Sequence, residues 1–330
     1  MHQFDILGIG NSVVDLLYEV DEEFVKNNKL EKGSMTLIDE DKAEKFYSSL
    51  KQGIEVAGGS VANSIVGCAS LSGKSAFIGK IKNDNLGKVF SKSLLDSGVF
   101  YKTKPIIGGL ATARSFIFVT PDAQRTMNTY IGACSLLNPK DIDEELVKNS
   151  KIVYLEGYCW EEQLAKESLV KAAEVAHKAD NKVSLTLSDP FCVQRHRPEF
   201  KELVRKHIDI LFANEAEALE LCQTESFEES GKEISGMTEI AALTRGEKGA
   251  KIYKNKEIAE IKSRVLGTVK DTTGAGDLFA AGFLYGLSKK FSILKSGNIA
   301  AITAGEIISH FGARPETNLL DLINKKLIEK

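Results

Sequence analysis

Asp271-Thr272-Thr273-Gly274-Ala275-Gly276-Asp277, followed at once by the apolar run Leu278 to Leu287, is the stretch on which the reading of this chain turns. Two glycines let the backbone turn sharply and bring its N–H groups close to a ligand. The residues after them are apolar nearly all round, as expected of a buried helix. A glycine turn that opens a helix presents unpaired N–H groups and the positive end of the helix dipole, which suit an anion. Asp277 adds a carboxylate at the same place. Phosphoryl transfer to an alcohol needs both features: N–H groups hold developing phosphate charge, and a carboxylate takes the hydroxyl proton. The plainer account of Asp277 is a helix cap.

Around this segment short β-rich runs alternate with helical patterns. The spacing predicts strands over 4–9, 75–81, 151–157, 183–188, 208–213, 239–244 and 250–254. It predicts helices over 61–72, 86–97, 161–179, 214–222, 276–289, 292–309 and 319–328. Such alternation argues for an α/β fold with a mostly parallel sheet covered on both faces. Ser60 is expected to cap the first of these helices, with Gly73 and Gly98 ending the first two. Two regions break the pattern. Residues 12–20 and 33–39 read as strands with no helix between them, and 111–119 and 125–131 as strands joined by a Pro121-Asp122 turn. These four are expected to pair into a small separate sheet, from about 11–40 and 98–131, lying as a lid over a cleft.

With 330 residues, 43% of them apolar, the chain can build one large core without disulfides. A net charge of −3 gives no footprint for nucleic acid. Cys68, Cys134, Cys159, Cys192 and Cys222 form no C-x-x-C pair, which argues for buried thiols in a reducing compartment. No apolar run reaches the length of a membrane span. A cytoplasmic protein is expected; monomer and homodimer both stay open.

Polar residues and glycines gather just after the expected core strands: Gly157-Tyr158, Ser188-Asp189, Asn214-Glu215 and Thr244-Arg245-Gly246. Open α/β sheets bind ligands at the carboxyl ends of their strands. Gly8-Ile-Gly10-Asn11-Ser-Val13 invites a dinucleotide reading, but the third glycine is absent and a strand follows. The alternative is a turn that carries Asn11 and Asp15 to a substrate. Gly58-Gly59-Ser60-Val61-Ala62-Asn63-Ser64 opens a helix, and Asp with Asn supplies acceptors and donors for vicinal hydroxyls. Asn214-Glu215-Ala216-Glu217 is either a capped helix start or a site for a hard cation. No P-loop and no protein-kinase motif set is present, and the five histidines lack metal-ligand spacing.

Together these motifs resemble, in order and over essentially the whole chain, the ribokinase-like (pfkB) family of carbohydrate and nucleoside kinases. The resemblance implies a single three-layer α/β/α kinase domain over 1–330 with a β lid. It implies Asp277 as base, with Gly274 in the catalytic turn and the N–H groups of Ala275, Gly276 and Asp277 as the anion hole. Asn11, Asp15, Gly58, Gly59, Ser60 and Asn63 would bind the acceptor, while Asn214, Thr244, Gly246, Gly249 and Asn298 would serve ATP. Glu217 would organise Mg²⁺, largely through water, and a monovalent cation such as K⁺ finds room near Asp271 and Thr273. Arg125 resembles a lid arginine aimed at the transferred phosphate; a surface charge is the alternative. Within the family the chain is most similar to bacterial adenosine kinases, through Gly-Gly-Ser-Val-Ala-Asn-Ser, Leu155-Glu-Gly-Tyr-Cys-Trp160 and Arg125-Thr-Met-Asn-Thr-Tyr130. Tyr158 would then offer a face to the base. The expected reaction makes ADP and AMP from ATP and adenosine. A kinase for ribose, fructose or a keto-deoxy sugar acid stands as the alternative, and a non-catalytic nucleotide-binding protein as a third.

Overall fold

The computed structural model describes residues 2–50, 53–122, 124–255 and 257–328. Along the chain run β1 (Phe4–Ile9), β2 (Val13–Glu19), α1 (Glu22–Asn27), β3 (Met35–Leu37), α2 (Glu40–Ser49), β4 (Ile54–Ala57) and α3 (Ser60–Ser70). Then come β5 (Ser75–Ile78), α4 (Asn85–Asp96), β6 (Phe100–Tyr101), β7 (Ala113–Val119), β8 (Arg125–Tyr130), α5 (Glu144–Lys148), β9 (Ser150–Glu156), α6 (Gln163–Lys178) and β10 (Lys182–Thr186). The chain continues through α7 (Pro190–His207), β11 (Ile210–Asn214), α8 (Glu215–Cys222), α9 (Phe227–Ser235), β12 (Ile240–Thr244), β13 (Ala250–Lys254) and β14 (Glu257–Ile261). It closes with α10 (Ala275–Ser288), α11 (Ile293–Ile307) and α12 (Leu319–Ile328).

The large sheet has the order β14-β13-β12-β11-β10-β9-β1-β5-β6 and is parallel except at β12–β13 and β13–β14. Its central strands are buried on both faces, and the pleat divides their side chains by twos. Ile152 and Tyr154 of β9 and Ile210 and Phe212 of β11 enter the core shared with α3, α10 and α11. Val153, Leu155, Leu211 and Ala213, their neighbours in sequence, enter the second core, under α6 and α7. Parallel strands bring the ends of β1, β9, β10, β11 and β12 to one edge, where the polar clusters gather.

The small sheet has the order β3-β8-β7-β2-β4. It departs from expectation in three ways. Helix α1 separates β2 from β3; Asp21 caps it, its side chain accepting from Phe24 N–H at 2.7 Å. Strand β4, outside 11–40 and 98–131, supplies one edge by pairing with β2. Residues Phe100–Tyr101, inside that range, pair instead with β5 in the large sheet. Helix α7 lies between two expected strands where no helix was expected. Asp189 starts it, accepting from Phe191 and Cys192 N–H, and Pro190 takes the first helical position, where a missing N–H costs nothing.

Candidate active site

Gly274 has φ +80°, a left-handed conformation, and starts α10. A Cβ there would sit 2.8 Å from the Ala313 side chain, so only glycine fits. The helical ladder begins with Leu278 N–H donating to Gly274 O at 2.8 Å. The amides of Gly276 and Asp277 precede it and stay available to an anion. Ala275 N–H does not stand with them, because it donates to Thr272 O at 3.2 Å. A side chain at Gly276 would meet nothing within 4 Å, so this turn faces open space.

Asp277 is half-buried, and both its oxygens are engaged from α3. Ser60 Oγ donates to Oδ1 at 2.7 Å, and Asn63 Nδ2 to Oδ2 at 3.0 Å. Ser64 Oγ adds a bond to the Asp277 carbonyl at 2.8 Å. Burial pushes the carboxyl up to about 6 even though the two donors pull it down. A carboxylate poised near neutrality and aimed by donors suits a general base. Ser60 does not cap α3 as expected: Gly59 is the cap residue, and the Ser60 hydroxyl turns to Asp277 instead.

The other residues expected to bind the acceptor converge on the same spot. A Cβ on Gly58 would strike Asp15 Oδ2 at 2.5 Å, and one on Gly59, at φ +93°, would strike the Asn11 carbonyl at 2.4 Å. These glycines therefore let β2 and the Asn11 turn approach the start of α3. Burial raises the Asp15 carboxyl to about 7 against the pull of Arg125 and Arg314. Arg125 is the first residue of β8; its Nη1 pairs with Asp271 Oδ2 and donates to Thr273 Oγ1 at 3.0 Å. The side chains expected to greet a monovalent cation thus already hold a guanidinium, which does not fit a second cation.

Beyond Gly276 a cavity of about 390 Å³ is lined by Thr244, Gly246, Gly249, Val265, Phe279 and Ala304, among others. Its volume lies in the range of nucleotide and drug pockets, about 300–1,000 Å³. Asn298 is not among the lining residues; its amide donates to Leu294 O inside α11 at 2.8 Å. Asn214 caps α8 and forms a closed pair with Glu217, whose Oε1 accepts from Nδ2 at 2.7 Å and whose Oε2 accepts from the Asn214 N–H at 3.0 Å. Burial raises Glu217 to about 7. Among the described residues no cluster of three His, Cys, Asp or Glu side chains could hold a metal. A lone buried carboxylate fits Mg²⁺ carried by phosphate and water rather than by a protein cage.

A narrow hollow on the other side of Asn11 is lined by Met35, Leu37, Ile131, Cys134, Tyr158 and Cys159, with Glu161 and Arg195 at its rim. It brings Tyr158 into one hollow with Met35 and Leu37 of β3 in the small sheet. Two residues unread in the sequence complete the site. Glu156, at the end of β9, is fully buried; its Oε2 accepts from Val61 N–H at 3.1 Å, and it fills the space beside Gly10. Burial pushes it to about 8. Arg314, on the loop after α11, reaches Asn63 Oδ1. Nothing local in the sequence marks either Glu156 or Arg314.

Residues 36–318 match the model of the pfkB family of carbohydrate kinases. The chain belongs to that family. It is a kinase that phosphorylates a sugar or nucleoside hydroxyl. It is similar to a solved probable sugar kinase from Rhizobium etli, at 42% identity and TM-score 0.92 over 99% of this chain and 100% of that one. The adenosine kinase from Sinorhizobium meliloti is 41% identical, with TM-score 0.92, over 98% of this chain and 99% of that one. A 5-dehydro-2-deoxygluconokinase of Clostridium botulinum is 26% identical over 286 residues, 83% of this chain and 84% of that one. The large, mostly parallel sheet with a second smaller sheet is the fold of these neighbours. Among the described residues no helix is long and apolar enough to cross a membrane.

Proposed function

We propose that this pfkB kinase phosphorylates the 5′-hydroxyl of adenosine, giving ADP and AMP. The observation that carries this reading is the hollow between Tyr158 and the Met35 and Leu37 face of β3. It adjoins the acceptor residues through Asn11, which shares its backbone with the Gly59 turn and its side chain with the hollow. A free sugar ends at Asp15 and Asn63; a nucleoside carries a flat base onward, and an apolar wall with an aromatic face suits it. Similarity to the adenosine kinase from Sinorhizobium meliloti supports the same substrate.

In the proposed reaction Asp15, Asn63 and the Gly59 backbone hold the ribose hydroxyls. Asp277 takes the proton of the attacking hydroxyl, whose oxygen forms the new bond to the γ-phosphorus of ATP as the bond to ADP breaks. The amides of Gly276 and Asp277 hold the phosphate charge, and Arg125, reaching from β8 to its pair with Asp271, adds a positive charge beside it. The small sheet acts as the lid that keeps water out. Mg²⁺, reached by Glu217 through water, would neutralise phosphate charge when bound.

The test is phosphate transfer from ATP to adenosine, ribose, fructose and 5-dehydro-2-deoxygluconate, compared by kcat/KM. A preference for adenosine of about tenfold or more is expected, since ~100 Å² of buried apolar surface contributes about 2.5 kcal/mol. Turnover of a sugar without turnover of adenosine would overturn the substrate and leave the kinase. The 5-dehydro-2-deoxygluconokinase similarity makes a sugar acid the specific second reading.

A further inference from the structure

Arg314 sits on a loop fixed along its length. Gly312 N–H donates to Asp271 Oδ2 at 3.2 Å, and Ala313 fills the space beside Gly274. Buried Glu306 draws in the far end: its Oε1 accepts from Glu316 N–H, Thr317 N–H and the Thr317 hydroxyl, each at 3.1 Å. His310 Nε2 lies 3.3 Å from its other oxygen. A charged acceptor with several donors holds a loop in one arrangement. From this base the guanidinium reaches α4, where Nη1 donates to Ser93 Oγ at 2.6 Å, and α3, where Nε donates to Asn63 Oδ1 at 3.4 Å. Nη2 is buried with no hydrogen-bond partner among the described residues. The group is therefore not placed to satisfy all of its own donors. Burial brings it down to about 10 while the Asp15 carboxylate pulls it back up, so it remains a cation at neutral pH.

Asn63 has two chemically different ends, and its two orientations are not equivalent here. In the observed one the amide donates to Asp277 Oδ2. Turned over, it would place a carbonyl oxygen against that carboxylate. Arginine has donors only, so a guanidinium against Asn63 admits only the carbonyl end. We infer that Arg314 is a positioning residue of the acceptor end, fixing the Asn63 amide so that its NH₂ faces the base and its oxygen keeps one lone pair for a substrate hydroxyl. This rests on Asp15 and Asn63 being the acceptor clamp.

The experiment is a double-mutant cycle of Arg314→Met and Asn63→Ala, read in the full chain as kcat and as KM for ATP and for the acceptor. Adenosine is the acceptor and D-fructose a second one. Arg314→Met should lower kcat/KM for the acceptor about 30–100-fold and leave the KM for ATP within about twofold, a split that general loosening of the fold would not produce. On the Asn63→Ala background the same change should cost less than about threefold, because the residue it acts through is gone. Independent, multiplying losses, or Arg314→Met within about twofold of wild type, would overturn the inference. If wild type turns over only fructose, the adenosine reading fails and the cycle is read on fructose. Ser93→Ala removes the α4 anchor without touching the acceptor residues, and should raise the acceptor KM about threefold with an unchanged melting temperature. An unchanged acceptor KM in that variant would also count against the inference, even if Arg314→Met did not fold.

Discussion

At the proposed acceptor end of the cleft, side chains from distant parts of the chain meet: Asp15 from β2, Asn63 from α3, Asp277 from α10 and Arg314 from the loop beyond α11. Burial holds two of these carboxylates well above their ordinary values. At the proposed nucleotide end the cavity wall combines glycines and apolar side chains such as Val265, Phe279, Ala301 and Ala304 with Thr244, Lys262 and Arg264. One end gathers carboxylates raised by burial beside two arginines, and the other is an open cavity walled largely by glycines and apolar side chains. A change at the first should therefore alter the chemistry or the acceptor, and a change at the second should alter ATP binding alone.

The largest effect should come from Asp277→Asn. Losing a positioned base lowers kcat by about 10²–10⁴ while the KM values for both substrates stay near wild type. In the wild type, kcat/KM should fall as pH drops through about 6, where the base takes up a proton. The same shift makes a stability prediction of opposite sense. The folded-state value lies above the ordinary 3.8, so the stability linked to the bound proton is present below 3.8 and lost as pH rises through about 6. Asp277→Asn should then melt at a higher temperature than wild type above that window and show no advantage at acid pH. Melting curves across pH decide it; a variant less stable than wild type at neutral pH would deny that the carboxylate is held at a cost.

Asp15→Ala comes next. Removing an acceptor from the clamp should cost about 1–3 kcal/mol, or roughly 10–100-fold in acceptor KM, with ATP KM unchanged. An ATP effect instead would mean that the two ends have been assigned the wrong way round. Ala304→Leu probes the opposite end. Extra methyl groups in the cavity should raise the KM for ATP about tenfold and spare the acceptor. Isothermal titration with each substrate separates the two.

The acceptor end was legible in sequence where its residues sit in glycine-marked strings. Gly58, Gly59 and Gly274 carry a steric requirement that only glycine meets, and such a requirement shows in the letters. Arg314 and Glu156 carry none: each matters through partners brought close only by folding, Val61 and Gly10 for one and Asn63 for the other. Ser60 misled because its letter fits a cap as well as a ligand. Helices α1 and α7 were hidden by polar composition, although Asp21 before two glutamates and Asp189-Pro190 are start signals. Strand β4, with four residues on an edge, is too short to show a period. Asn298, expected at the nucleotide end, is not among the residues that line the cavity, because its amide is turned to Leu294 O within its own helix.

The smallest expected effect concerns monovalent cations, and it joins the two ends. Asp271 and Thr273 lie between them, and both side chains are engaged by Arg125. A K⁺ ion at the same carboxylate would stand close to the guanidinium; two like charges about 4 Å apart repel by about 4 kcal/mol at an effective dielectric of 20. The tethered charge is always present, whereas the ion would have to give up water to displace it. Exchanging K⁺ for tetramethylammonium at constant ionic strength should therefore change kcat by less than about twofold. Arg125→Met leaves Asp271 without its partner and should make the rate rise with added K⁺, on top of whatever the variant loses at the transferred phosphate. Strong activation of the wild type by K⁺, beyond about tenfold, would show that the ion displaces the guanidinium or binds apart from it, and that the pair bridging the small sheet to the α10 turn is not what neutralises Asp271.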